Sequence, residues 1–206
     1  MCYKERKLQR DFYLKDTEEV SKSLLGKYLV HDKPEGRTVG KIVETEAYLG
    51  NGDPACHASN GERTERTDIL FEKGGYAYVY LIYGMYNCFN VVTGEEGKPG
   101  SAFIRGLEPI EGKELMRERR GLDDLSGKKR FQLTNGPGKL CMAMDIKKRD
   151  KGKDLCGDEL YISEPPEEKT LDIVSAERIN IDYAGEAKEW PLRFFIKDNP
   201  YVSKPP

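Results

Sequence analysis

The sequence predicts an α+β protein: a single domain with a curved, largely antiparallel sheet and a few flanking helices. Three observations carry this. Segments rich in β-branched and aromatic residues recur along the chain, separated by turns containing Gly, Pro or Asn. The helical patterns are brief and scattered instead of following every strand. A length of 206 residues with 37% hydrophobic side chains suits one domain that buries its own core.

Residues 16–25 read as the first helix, with Asp16 as N-cap, Glu19 three positions on, Val20, Leu24 and Leu25 on one face and Gly26 past the end. A strand over Lys27–His31 follows, then a Pro/Gly turn at 33–36 and a strand over Thr38–Leu49. Residues 50–67 read as loop. The most apolar stretch, Tyr76–Val92, begins as an alternating strand and is interrupted at Gly84 by a turn or bulge. Ser101–Leu107 reads as another strand and Ile110–Arg120 as a helix stopped by Gly121. Asn135-Gly-Pro-Gly-Lys-Leu marks a helix start, with Pro137 in its first turn. Ser163–Lys169 is a Pro/Glu loop, and Leu192–Lys197 a final strand. Residues 1–7 are expected to form a flexible terminus.

No stretch approaches the roughly 20 apolar residues of a membrane span, and the charged start MCYKERKLQR does not suit a signal peptide. A cytoplasmic or nucleoid-associated protein is expected. Five scattered cysteines without a CxxC pair, and two histidines, argue against a structural zinc site and for reduced thiols. The net charge of −2, taken alone, speaks against a nucleic-acid partner. Its distribution speaks for one, since residues 101–153 carry 14 basic and 8 acidic side chains, a net +6. Clusters such as Lys128, Lys129 and Arg130 also fit an ordinary solvated surface.

Three segments carry chemistry. In the strand KIVETEAYLG, alternation puts Glu44, Glu46 and Tyr48 on one face and Val43, Thr45 and Ala47 on the other. The first face is a general base beside an aromatic platform, or a strand face turned to solvent. GYAYVYLIYGMYNCFN holds five tyrosines, Tyr76, Tyr78, Tyr80, Tyr83 and Tyr86. That many phenols suit a cavity or a base-stacking surface as well as sheet packing. Asn90, at the end of this segment, is able to discriminate exocyclic groups on a base. In the loop DPACHASNGERTERT, His57 either closes over the Tyr48 pocket or is structural, and Arg63 and Arg66 reach phosphates or solvent.

ETEAYLG, DPACHA, YVYLIYGMYNCFN, FIRGLEPIEG, GPGKLCMAM and RINIDYAGE, in this order, resemble the alkyladenine DNA glycosylases, the mammalian-type 3-methyladenine DNA glycosylases. The resemblance runs from Leu8 to Tyr201. It implies a protruding β-hairpin, no cofactor, and a monomer acting on double-stranded DNA that contains damaged purines such as 3-methyladenine, 7-methylguanine and hypoxanthine. By motif, the catalytic glutamate falls on Glu46. Tyr48 stacks on one side of the flipped base, and His57 with Tyr80 covers the other. Tyr83 is the intercalating wedge. Apart from the resemblance, Met85, Arg66 and Lys139 are expected DNA contacts, Lys139 because the amides at its helix entry favour anions. Asn90 meets the purine 2-position, Arg105 lies near the catalytic water, and the Ile181 carbonyl helps to hold that water. No lysine falls inside the pocket motifs, so hydrolysis to an abasic site without strand cleavage is expected. TERTDILF departs from the family pattern, with Glu65 and Asp68 where neutral or basic residues are usual. The residues themselves also fit a damage sensor without catalysis, a small-molecule hydrolase using Glu44 and Glu46, or a single-strand-binding module.

Overall fold

The computed structural model describes residues 3–167 and 169–204. Its helices are α1 (Arg10–Tyr13), α2 (Thr17–Ser23), α3 (Lys113–Arg120) and α4 (Pro137–Met144). Its strands are β1 (Tyr28–Lys33), β2 (Gly36–Tyr48), β3 (Ala77–Ile82), β4 (Tyr86–Val92), β5 (Ser101–Glu111), β6 (Leu160–Ser163), β7 (Ile173–Ala176) and β8 (Arg193–Ile196). They form one sheet in the order β3-β4-β5-β2-β1-β6, with β8 also pairing with β2 and β7 with β8. Every pairing is antiparallel, so the α+β expectation holds.

β2 organises the sheet because its 13 residues outlast any one partner. β5 runs along one edge, while β1 takes the first half of the other edge and β8 takes Glu44–Glu46. Both faces of β2 are also buried over most of its length. Val43, Thr45 and Ala47 are fully enclosed, and the Thr45 hydroxyl donates to the Ser21 carbonyl of α2 at 2.8 Å. Glu44 and Glu46 are equally enclosed on the opposite face, which rules out the solvent-facing alternative. Residues 178–181 and the tail around Tyr201–Ser203 cover them. The β2–β5 register slips between Ile42 and Glu44 and again before Thr45, leaving Val43 and Arg105 without partners in that ladder. Such bulges re-aim side chains beside functional sites.

Several boundaries differ from expectation. β5 continues to Glu111, and α3 starts only after Gly112, whose φ of +75° breaks the strand. Asp16 does cap α2, accepting the Glu18 amide at 2.9 Å, but Glu19 pairs with Lys15 and closes no capping box. β6 and β7, four residues each, are too short for periodicity to reveal. Residues 1 and 2 of the expected flexible terminus, with Cys2, lie outside the described residues, as does Glu168. From Tyr3 onward the terminus is anchored: Tyr3 is buried, Lys4–Arg6 form a 3-10 turn, and Lys7 bridges to Ser163 of β6. Cys56, Cys88, Cys141 and Cys156 are unpaired thiols. No helix among the described residues is long and apolar enough to cross a membrane.

The tail presses on the sheet at Gly106, where a Cβ would lie 2.7 Å from the Tyr201 carbonyl oxygen. Gly106→Ala should therefore cost about 1–3 kcal/mol of stability in urea unfolding, an overpacking penalty. Gly121→Ala meets nothing within 4 Å and is opposed only by its φ of +61°, so it should cost about 1 kcal/mol. Equal losses would show that the tail is not packed against β5.

Candidate active site

The bulge in β5 turns Arg105 under the two carboxylates of β2. Its Nε donates to Glu44 Oε1 and its Nη1 to Glu46 Oε2, each at 3.3 Å. Burial alone would lower the Arg105 pKa, but Glu46 and Glu44 outweigh it and raise the pKa above its usual value. The two carboxylates are otherwise held differently. Glu44 accepts the Ser203 amide at 2.6 Å and its hydroxyl at 3.0 Å, with Arg193 3.5 Å away. Glu46 accepts the Ile179 amide on Oε1 at 2.7 Å and the Tyr48 hydroxyl on Oε2 at 3.0 Å. Glu44 thus ties down the tail, whereas the side-chain partners of Glu46, Tyr48 and Arg105, both line an open cleft of about 660 Å³. Glu46 itself is fully buried behind them.

The cleft brings together Tyr48, His57, Arg66, Tyr80, Tyr83, Arg105, Lys139 and Ile181, most of the residues singled out in the sequence. Asn90 sits deeper, in an inner cavity of about 40 Å³ that also touches Tyr48, His57 and Tyr80. That cavity has room for little more than a water. The Asn90 amide donates to the Tyr78 carbonyl at 3.3 Å, which fixes its orientation. Burial raises the Tyr48 pKa, and the nearby Glu46 charge raises it further.

The β3–β4 hairpin projects from the cleft edge. Three residues separate the paired Ile82 and Tyr86, and the Ile82–Met85 turn has positive φ at both central residues, Tyr83 (54°) and Gly84 (69°), the sense of turn that matches strand twist. A tyrosine tolerates that region poorly, so Tyr83 is held outward at a cost in backbone strain. It is 78% exposed and Met85 66%. Tyr86 braces the hairpin against α4 at Gly138, where a Cβ would come 3.1 Å from its ring.

A basic rim of Arg66, Arg120 and Lys139 completes the opening. Lys139 donates to Asn135 Oδ1 at 2.9 Å, and burial with the nearby Arg120 charge lowers its pKa. Arg63 instead stacks on Phe71, its guanidinium 4.7 Å from the ring centre. Of the acidic departures, Asp68 is tied back by Lys151 at 2.6 Å, and the same ammonium donates to the backbone carbonyl of Glu65.

Sequence reasoning missed three features. Tyr183, 70% exposed, lines both the inner cavity and the cleft. The Ile179 amide orients Glu46, a backbone role that no side-chain pattern announces. Asp53 and Arg178 form a buried ion pair behind Tyr48. Away from the cleft, His31, Asp150 and Glu159 bring ligand atoms within 4.8 Å of one another, but the Lys153 ammonium already pairs with both carboxylates.

His57 Nε2 receives a hydrogen bond from Arg66 Nη2 at 3.1 Å, so the proton sits on Nδ1 and is donated to the Tyr78 hydroxyl at 2.8 Å. One edge of the ring meets solvent, but crowding by Tyr78 and Tyr80 and the Arg66 charge lower its pKa to about 4. His57 should therefore remain neutral with Nδ1 protonated from pH 7 down to pH 5.5, as read by long-range ¹H–¹⁵N NMR, where only His31 adds a second imidazole. With the folded pKa below the usual 6.5, the unfolded chain takes up a proton first, and His57 contributes a loss of stability as pH falls through that window. A protonated His57 at pH 6 would contradict the arrangement.

Residues 11–200 match the family described as methylpurine-DNA glycosylase (MPG). Proteins provisionally named 3-methyladenine DNA glycosylases are similar over nearly their whole length. One from Alkaliphilus oremlandii is 51% identical over 201 residues, covering 96% of this chain and 99% of its own. Another from Clostridium acetobutylicum is 52% identical over 200 residues, covering 96% and 97%. A third from Methanocella arvoryzae is 50% identical over 198 residues, covering 96% of each. The chain belongs to the methylpurine-DNA glycosylase family and is a monofunctional DNA glycosylase, a hydrolase of N-glycosyl bonds.

Proposed function

We propose that this chain, acting as a monomer, flips damaged purines out of duplex DNA and hydrolyses their glycosidic bonds with a water activated by Glu46. The substrates are 3-methyladenine, the base in the relatives' names, together with 7-methylguanine and hypoxanthine. One observation carries the reading: a buried carboxylate whose partners Tyr48 and Arg105 line an aromatic cleft, beside an exposed hairpin tip.

A stacked base is out of reach of Glu46, so the nucleotide leaves the helix at a cost of a few kcal/mol. Tyr83, with Met85 beside it, offsets part of that cost by filling the gap, as apolar wedges do in minor-groove proteins. Arg66 and Lys139 face the backbone phosphates. The extruded base lies against Tyr48, with His57 and Tyr80 across from it. Neutral His57 adds no charge to repel a cationic alkylpurine, which gains about 0.5–2 kcal/mol from the tyrosine faces. Asn90 meets the purine 2-position and rejects the 2-amino group of guanine by contact and by leaving its donors unpaired.

Positive charge then develops on the sugar. The electron pair of the breaking glycosidic bond leaves with the base, and the Glu46 carboxylate stabilises the cationic sugar. As the water placed by the Ile181 carbonyl and Arg105 bonds to the anomeric carbon, Glu46 takes its proton. Water is the nucleophile, and the product is an abasic site in an intact strand.

A gel assay on a hypoxanthine-containing duplex, with the single strand as control, tests this reading. Abasic-site formation in the duplex is expected. Tight duplex binding without cleavage would point to a damage sensor, and preference for the single strand to a binding module. Tyr83→Ala should lower excision sharply from a fully paired duplex and less from a mispaired site, where opening needs less energy. Equal losses on both substrates would remove the wedge role.

A further inference from the structure

Behind Tyr48 lies the buried ion pair of Asp53 and Arg178, outside every role assigned so far. Arg178 Nη1 donates to Asp53 Oδ2 at 2.6 Å and Nη2 to Oδ1 at 2.8 Å, with both side chains fully buried. Arg178 also donates to the Ala47 carbonyl at 3.0 Å, while Asp53 accepts the amides of Leu49 and Ala55, each at 3.0 Å. The pair therefore clamps the chain on both sides of Tyr48. The centre of the Arg178 guanidinium stands 4.9 Å from the centre of the Tyr48 ring. Tyr48 lines the cleft and Arg178 does not, so the cation occupies the ring face turned away from the bound base.

We propose that Arg178, held by Asp53, is a positioning and specificity-determining residue: its charge on the remote face of Tyr48 weakens the attraction of that ring for a cationic purine and narrows the gap between cationic and neutral substrates, an assignment that rests on the base-excision reading above. The physical reason is simple. A ring face attracts cations through its quadrupole, and a cation already on one face repels a second across the ring. The carboxylate of Asp53 compensates that charge only in part, because its oxygens are shared with the Leu49 and Ala55 amides. Removing both charges together should free the ring for a cationic base. Neutralising Asp53 alone should do the opposite, because the guanidinium then faces the ring uncompensated.

The test compares excision of 7-methylguanine, a cationic base in DNA, with excision of neutral hypoxanthine from duplexes of the same sequence. The Asp53→Asn/Arg178→Met double variant leaves no orphan charge, and it should raise the ratio of 7-methylguanine to hypoxanthine excision about two- to tenfold. Asp53→Asn alone should lower that ratio, even where both rates fall. A clamp with a purely structural role would slow both reactions and move the ratio in the same direction, or not at all, in the two variants. That outcome would overturn the proposal, and where only one variant folds, a ratio in it that stays put or moves against the direction given overturns it too. A wild-type protein that releases neither base would instead overturn the excision reading itself.

Discussion

A guanidinium sealed between two carboxylates sets the terms for the rest of this molecule. Arg105 is 7% exposed, and Glu44 and Glu46 are fully buried, so both carboxylates depend on the guanidinium between them. The β-bulge that leaves Arg105 without a ladder partner, the 13-residue strand that presents both glutamates, and the tail that donates to Glu44 all serve that arrangement. Removing Arg105 would strand both buried carboxylates, at a cost of several kcal/mol, whereas either glutamate alone still leaves the guanidinium a counter-charge. The C-terminal residues are therefore as much a part of the site as the strands.

The arrangement also separates two chemically identical side chains. Glu44 is surrounded by donors from the tail and from Arg193, an environment that consumes its acceptors in holding the fold. Glu46 has its acceptors filled by the Ile179 amide and by two side chains at the cleft, so any ligand that shifts Tyr48 or Arg105 acts on it directly. Tyr48 is the shared part: its hydroxyl donates to the carboxylate, its side chain lines the cleft, and the Arg178 cation lies over its ring.

Much of this was legible in the sequence where the signal is local. Alternation placed Glu44, Glu46 and Tyr48 on one face of β2, and Gly84 marked the turn that presents Tyr83. Alternation did not show that the opposite side would be covered, because the cover comes from residues 178–181 and 201–203, more than a hundred positions away. The Asp53–Arg178 pair spans 125 positions and carries no local pattern. Arg105 stood out by family resemblance alone, since a register slip between two strands leaves no mark on composition. The Ile179 amide is backbone, which any residue would supply.

The division of labour between the two glutamates is the claim on which the account turns, and single-turnover excision at saturating enzyme tests it most directly. In Glu46→Gln, Arg105 keeps Glu44 as its counter-charge, so the variant should fold and still bind a damaged duplex. Its excision should be about 10²–10⁴ slower, the usual contribution of a general base. Glu44→Gln, with Glu46 intact, should excise within about tenfold of wild type once folded, well below the general-base range. Near wild-type excision by Glu46→Gln, or an equal loss in both variants, would contradict it.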